Sequence, residues 1–208
     1  MGARPGGAGD EQALRSVQRH LAGSAETIRL AAETCAAQLV RAAELLIGCF
    51  QRGGKVLLCG NGGSAAEAQH MAAEFMSVLD RDAPRRALAA VALTTDTSFL
   101  TASANDFGFE GVFARQVEGL GRPGDVLIAI STSGSSLNVV LASVRARELG
   151  MHTIALTGAA GGKVADVADV LIAVPSRDVQ HVQEAHLALG HALCLLTEQR
   201  LFGPGRKS

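Results

Sequence analysis

The sequence contains no tryptophan and no tyrosine, and aromatic residues make up only 3% of its 208 positions. Proteins that bind single-stranded nucleic acid stack the bases on aromatic side chains, so that function is not expected here. The formal net charge is -1, which leaves no excess of positive charge for a phosphate backbone or an anionic membrane surface. We therefore expect neither a nucleic acid nor a membrane as a partner.

The sequence also lacks paired cysteines, a membrane span and a secretory signal. Its four cysteines form no C-x-x-C pair, which predicts buried thiols in a reducing compartment. No segment reaches the ~18 apolar residues of a membrane span, and the first ten residues have no apolar core of the signal-peptide kind. We expect a cytoplasmic protein in which residues 1–10 form a disordered tail.

Apolar residues, which make up 48% of the chain, recur first at helical spacing and then in short runs. The helical spacing extends from Leu14 to Phe50 and predicts N-terminal helices over residues 11–52. Gly23 is expected to divide this segment into two helices, with Ser24 as a possible cap of the second. The pair Gly53-Gly54 ends the segment.

Beyond residue 53, five short apolar runs alternate with polar loops and helical stretches. The runs lie at 55–59 (KVLLC), 89–93, 126–130 (VLIAI), 153–156 (TIAL) and 170–174 (VLIAV). Buried strands that alternate with helices predict an α/β fold with a five-stranded parallel sheet covered on both faces. A long amphipathic helix is expected from about Val179 to Leu201.

Ligands of such sheets bind beyond the carboxyl ends of the strands, where this chain has glycine-rich and hydroxyl-rich loops. The loop GNGGS (60–64) opens a helix, and its glycines allow a ligand to approach the backbone. The first-turn amides and the helix dipole favour an anion there, and Ser64 with Glu67 has the spacing of a capping box. An ordinary strand-to-helix turn remains an alternative, and Gly60-x-Gly62-x-x-Ala65 also fits a loose dinucleotide fingerprint.

The second loop of this kind, STSGSS (131–136), places five hydroxyl groups around one glycine before a helix that starts near Leu137. This density of neutral donors suits a phosphate group, although a serine-rich turn and cap is the alternative. The chain has no G-K-[ST] sequence, which argues against a nucleoside triphosphate. Two such loops predict a small molecule that carries one phosphate.

A cluster of possible metal ligands follows from the histidines. His70 and Glu74 are four residues apart and share one helical face, and the segment HVQEAHLALGH (181–191) adds three histidines, Gln183 and a glutamate. Imidazole and carboxylate together suit zinc or a similar divalent ion. Gln183 and His191 are eight residues apart, about 80° around a helix and ~12 Å along it. Long side chains, separate roles in the site or a neighbouring subunit remain open as explanations.

Taken together, five segments resemble the phosphoheptose isomerases, members of the wider group of sugar isomerase (SIS) domains. The segments are CGNGGSAAEAQHMAAEF (59–75), TTDTSFLTASANDFGFEGVFARQ (94–116), GDVLIAISTSGSS (124–136), ALTGAAGG (155–162) and VQEAHLALGHALC (182–194). The resemblance covers about residues 22–202. It implies a three-layer αβα sandwich of the SIS type over residues 53–203 and a homotetramer with active sites between subunits.

The resemblance also implies an aldose–ketose isomerase that converts sedoheptulose 7-phosphate to D-glycero-D-manno-heptose 7-phosphate through a metal-assisted cis-enediol. This is the first step toward nucleotide-activated heptose for lipopolysaccharide or other glycoconjugates. Glu74 and His191 would be the acid–base pair. One zinc ion per subunit would be held by His70, Glu74, Gln183 and His191, with no nucleotide cofactor. The sugar phosphate would contact Asn61, Gly62, Gly63, Ser64, Asp106, Ser131, Thr132, Ser133, Ser136 and Gln183.

Three other functions are weighed against this one. A non-enzymatic relative binds the bacterial replication initiator, but it lacks the residues equivalent to Glu74 and His191, and both are present here. A regulator that senses sugar phosphates normally carries an added DNA-binding domain, and the N-terminal helices are not basic enough for that role. A dinucleotide-dependent oxidoreductase would rest on the fingerprint at residues 60–65 alone. The chain departs from many family members at Val78, where they have arginine, and substrate affinity or range could differ for that reason.

Overall fold

The computed structural model describes residues 8–79, 82 and 84–203. Two N-terminal helices precede a domain in which strands and helices alternate. The helices are α1 (Ala8–Thr34), α2 (Ala36–Gln51), α3 (Gly63–Met76), α4 (Thr97–Phe107), α5 (Val112–Leu120), α6 (Leu137–Glu148) and α7 (Val179–Phe202). The strands are β1 (Val56–Cys59), β2 (Ala90–Ala92), β3 (Val126–Ile130), β4 (His152–Thr157) and β5 (Val170–Ala173).

The strands form one sheet in the order β2-β1-β3-β4-β5, and all four neighbouring pairs are parallel. The predicted five-stranded parallel sheet is therefore confirmed. Strand β2 lies on one side of β1 in the sheet, and β3, β4 and β5 follow in order on the other side. The strand order thus reverses between β1 and β3, and the crevice at such a point is where open α/β sheets bind their ligands.

Alternate residues of the central strands enter two separate apolar clusters, because successive side chains of a strand point to opposite faces. Val56 and Leu58 of β1 pack with α2, α3 and α7. Leu57 and Cys59 of the same strand pack with α5 and α6. The sheet is therefore the middle of three layers, as the resemblance implied. No helix in the described part of the chain is long and apolar enough to cross a lipid bilayer.

The N-terminal helices differ from the sequence prediction. Helix α1 continues through Gly23 to Thr34, and the break falls at Cys35, so Gly23 does not separate two helices and Ser24 does not cap one. A glycine inside a helix costs about 1 kcal/mol relative to alanine, which the packing of α1 on α7 and α2 offsets. Residues 8–10 of the expected disordered tail belong to α1, and the remainder of that tail lies outside the described residues.

Gly134 joins the loop after β3 to the loop after β4. Its φ is +64°, a Cβ atom there would lie 1.9 Å from the carbonyl oxygen of Gly161, and its own carbonyl accepts a hydrogen bond from the Val164 amide at 2.9 Å. The two loops therefore meet main chain to main chain, with no space for a side chain.

We expect Gly134→Ala to lower the free energy of unfolding by about 3 kcal/mol or more, because left-handed backbone and steric overlap both oppose a Cβ atom. Urea denaturation measures the change. Gly119→Ala is the matched control, because Gly119 lies in α5 with open space around its Cα. That variant is expected to be unchanged or about 1 kcal/mol more stable. Equal free energies of unfolding for the two variants would contradict the close main-chain contact at Gly134.

Candidate active site

A cluster of two histidines and a glutamate lies where α3 meets α7. His70 Nε2 is 2.7 Å from His191 Nε2 and 3.5 Å from Oε1 of Glu74. The possible ligand atoms of the three residues all lie within 4.8 Å of one another. Both imidazoles are exposed and Glu74 is partly buried. The fold thus brings together three of the four residues predicted to bind a metal ion, although 121 positions separate the two histidines.

The donor atoms of this cluster fit a divalent cation. Two imidazole nitrogens 2.7 Å apart need a shared proton, whereas a cation between them would accept a lone pair from each. Zinc–nitrogen bonds of about 2.0–2.1 Å place tetrahedral ligand atoms about 3.3 Å apart. Small side-chain rotations would therefore open the present arrangement enough for an ion. Two imidazoles and one carboxylate also leave room for a fourth ligand or a substrate oxygen.

Gln183, the fourth predicted ligand, lies against the start of α3. A Cβ atom at Gly63 would be 2.6 Å from Gln183 Nε2, so the Gln183 side chain in this position lies directly on the glycine. The contacts of Gly63 with Gln183 and of His70 with His191 indicate that α3 and α7 run side by side in the same direction. Gln183 therefore lies at the loop end of the pair and His191 further along. Its part in metal binding stays a prediction.

The loop GNGGS turns into α3 through its glycines. Gly62 is the N-cap residue with φ of +55°, and no side chain caps the helix. Ser64 lies inside the helix, and neither carboxyl oxygen of Glu67 has a hydrogen-bond partner among the described residues, so the predicted capping box between them is wrong. The glycine turn leaves the start of α3 without side chains, which allows a ligand to approach its backbone.

Asn61 and Asn138 hold the two predicted phosphate loops together. Each side-chain amide donates to the other's oxygen at 2.9 Å. Asn138 lies in the first turn of α6 and is only 4% exposed, so this pair fixes the GNGGS loop against the STSGSS loop. Asn138 was not predicted to be a site residue, because a single asparagine near the start of a helix has no distinguishing sequence pattern.

Hydroxyl groups of the STSGSS loop converge at the start of α6. Ser131 Oγ donates to Ser136 Oγ at 3.1 Å and lies 3.5 Å from Ser133 Oγ, while the Ser135 amide donates to Ser133 Oγ at 3.2 Å. Thr132 is half-buried beside them. The hydroxyl groups and the helix dipole make this turn a suitable anion site.

Asp106 lies apart from these groups within the chain. It is exposed near the end of α4, and its carboxylate accepts a hydrogen bond from the Asn105 side chain at 2.8 Å. Within the described residues, no hydrogen bond connects it to the histidine–glutamate cluster or to the two loops. Its contact with substrate stays a prediction.

A second histidine–glutamate pair is buried between α3 and α7. Glu67 Oε2 lies 3.8 Å from Nδ1 of His186, whose side chain is fully buried. Burial raises the pKa of Glu67 to about 8. Burial also lowers the pKa of His186 to about 4, although its hydrogen bond to the Thr157 carbonyl acts in the opposite direction. Both groups are thus neutral near pH 7. The sequence predicted only a capping box for Glu67, and this buried pair was missed.

Arg85 supports the main chain of Glu74 at the end of α3. It donates to the carbonyl oxygens of Glu74 and Phe75, both at 2.9 Å, and forms a buried ion pair with Glu198. The carbonyl groups in the last turn of a helix have no hydrogen-bond donor within the helix. The Arg85 guanidinium provides donors for two of them. The sequence drew attention to position 78, where many family members have arginine and this chain has valine, and the role of Arg85 was not predicted.

Comparison with known proteins agrees with this geometry. The model of the SIS domain family matches residues 19–158. A phosphoheptose isomerase of Roseiflexus sp. (strain RS-1) is 51% identical over 188 residues, which cover 90% of this chain and 94% of the relative. The structure of phosphoheptose isomerase GmhA from Neisseria gonorrhoeae superposes with a TM-score of 0.84 at 48% identity, covering 89% of this chain and 98% of that chain.

A phosphoheptose isomerase from Francisella tularensis has the same fold at lower identity. Its structure gives a TM-score of 0.86 at 35% identity and covers 90% of this chain and 98% of that chain. The similarity therefore extends over most of the chain. The chain belongs to the phosphoheptose isomerase family of SIS-domain proteins and is a sugar phosphate isomerase.

Proposed function

We propose that this isomerase converts sedoheptulose 7-phosphate to D-glycero-D-manno-heptose 7-phosphate, the first step toward nucleotide-activated heptose for lipopolysaccharide or other glycoconjugates. The observation that carries the proposal is the cluster of His70, Glu74 and His191, in which His70 lies 2.7 Å from His191 and 3.5 Å from Glu74. Helix α3, which carries two of these residues, begins at the GNGGS loop. The curated relatives named phosphoheptose isomerase support a heptose phosphate as the substrate. Four buried, unpaired cysteines support a reducing, cytoplasmic location.

The two loops would bind the phosphate group. Ser64 and the serines and threonine of the STSGSS loop offer hydroxyl donors, and the starts of α3 and α6 add the positive ends of two helix dipoles. Proposed phosphate contacts are Ser64, Ser131, Thr132, Ser133 and Ser136. The sugar chain would then extend along Gly62, Gly63, Asn61 and Gln183 toward the histidine–glutamate cluster, with Asp106 as a further contact.

The reaction moves a carbonyl group from C2 to C1 and requires one base and one acid. The Glu74 carboxylate takes a proton from C1 while protonated His191 gives a proton to the oxygen on C2, which forms a cis-enediol. Glu74 then returns its proton to C2, and His191 takes the proton of the oxygen on C1. Both residues end in their starting states, and no oxidant or nicotinamide is consumed.

One zinc ion per subunit would be held at this cluster by His70, Glu74 and His191, with Gln183 as a possible fourth ligand. When bound, a divalent ion polarises the carbonyl group and stabilises negative charge on the enediol oxygens. A carboxylate that coordinates a cation is a weaker base, and a protonated imidazole has no lone pair to coordinate one. Glu74 and His191 therefore each have to share or release the ion during turnover if they serve both roles.

The first test is turnover of sedoheptulose 7-phosphate by purified protein with and without a chelator. We expect aldose phosphate to form without added nucleotide, the metal-free protein to be inactive, and zinc to restore the rate. Full activity of protein shown to contain no metal would contradict the metal-assisted mechanism. No aldose phosphate with zinc present would contradict the substrate, and a requirement for a nicotinamide would favour the oxidoreductase alternative.

The second test replaces the proposed acid and base. Glu74→Gln and His191→Gln are each expected to lower kcat by ~10²-fold or more, the usual contribution of a general acid or base. Metal content of each variant, measured in parallel, separates loss of proton transfer from loss of the ion. His152→Gln is the control, because His152 is a partly exposed residue at the start of β4. Near-normal turnover of both active-site variants would remove these residues from the chemistry.

We also propose that the protein is a homotetramer with active sites between subunits. Apolar side chains on one side of α1 are exposed in the single chain (Leu14 56%, Val17 57%, Leu21 62%), and so is Phe107, at 80%, beside Asp106. Exposed apolar surface of this extent is typical of subunit contacts, and a subunit contact at Phe107 would place Asp106 near a neighbouring site. Sedimentation velocity is expected to give four chains per particle, whereas a stable monomer would contradict the proposal.

A further inference from the structure

A second group of two histidines and a glutamate connects α1 to α7. His20 Nε2 lies 2.9 Å from Oε1 of Glu184, and the ring centroids of His20 and His181 are 4.9 Å apart. The possible ligand atoms of the three residues lie within 4.8 Å of one another. Glu184 precedes His191 by seven residues, so this group lies ~10 Å along α7 from the active-site cluster. It also uses α1, not α3, as its partner helix.

Polar atoms in this group are buried without a hydrogen-bond partner among the described residues. They are Nε2 of His181 and Oε2 of Glu184, and buried polar atoms normally have partners because an unmade hydrogen bond is costly. A cation would satisfy the unpartnered nitrogen and the unpartnered oxygen at once.

Gly23 makes this arrangement possible. A Cβ atom at Gly23 would lie 2.5 Å from Cε1 of His181, so the imidazole packs directly on the backbone of α1. This close approach explains a glycine in the middle of a long helix, where alanine is more favourable by about 1 kcal/mol. The glycine lets the His181 ring lie between α1 and α7, beside His20 and Glu184.

We propose that His20, His181 and Glu184 bind a second divalent transition-metal ion, zinc or one of similar ligand preference, which fastens α1 to α7. Two imidazoles with one carboxylate are a donor set that zinc favours. His20 Nε2 and Glu184 Oε1 are 2.9 Å apart. In a tetrahedral zinc site two ligand atoms are about 3.3 Å apart, so this pair needs to separate only slightly to hold an ion. The role is structural, and it is independent of the ion proposed for isomerisation.

Asp178 adds negative charge at the same end of α7. Its carboxylate accepts hydrogen bonds from the amides of His181 and Gln180, at 3.2 and 2.9 Å. The Asp178 carboxylate therefore lies beside the backbone of His181, where a negative charge favours a cation nearby.

The experiment measures zinc stoichiometry on untagged, metal-free full-length protein by calorimetric titration and elemental analysis. The wild-type chain is expected to bind two ions. His70→Ala with His191→Ala removes the active-site ion and is expected to leave one. Adding His20→Ala and His181→Ala to that background is expected to leave none, whereas adding His152→Ala as the control leaves one. No ion in the His70/His191 variant, or one that persists without His20 and His181, would overturn the proposal.

Thermal denaturation provides a readout that does not depend on activity. Zinc bound only by the folded chain raises Tm, so the His70/His191 variant should melt several degrees higher with excess zinc. The same variant with His20→Ala and His181→Ala added should show no such rise in Tm. A cooperative melting transition of that protein without zinc shows that it is folded. An equal rise in both proteins, or none in either, would contradict a metal ion between α1 and α7.

Discussion

The close packing of α7 against α3 is the interaction on which the rest of the site depends. Glycines at both ends permit it, because a Cβ atom at Gly63 would meet Gln183, and one at Gly190 would lie 3.1 Å from Met71 Sδ. With the helices this close, two imidazoles from distant parts of the chain reach 2.7 Å. The sheet below them contributes by ending β1 and β3 side by side, which places both anion loops at the start of α3 and α6.

The same packing buries Glu67 and His186 with the carboxyl oxygens and Nδ1 unpartnered among the described residues. Burial holds both groups neutral, with the pKa values of the two residues at about 8 and about 4. A neutral pair avoids the large desolvation cost of an ion pair in this position. It lies between the helix that carries His70 and the helix that carries His191.

The architecture follows from the sequence because periodicity is a local property. Short apolar runs predicted the five strands, and the amphipathic pattern from Val179 predicted α7. Long-range contacts carry no such signal, so the Asn61–Asn138 pair and the support of Glu74 by Arg85 were missed. Gly23 and Ser64 were misread for a related reason: local propensity favoured a helix break and a cap, whereas the packing of neighbouring helices decided both.

The contact between Gly134 and Gly161 fixes the STSGSS loop against the loop after β4 through main-chain atoms. Hydrogen bonds among its serine side chains shape the turn further, but this main-chain contact does not depend on them. A substitution of one serine therefore changes the donors offered to a ligand more than it changes the scaffold. Such a separation of architecture from recognition accords with one fold shared by proteins of 15–48% identity, among them structures in complex with ManNAc-6P and with A5P.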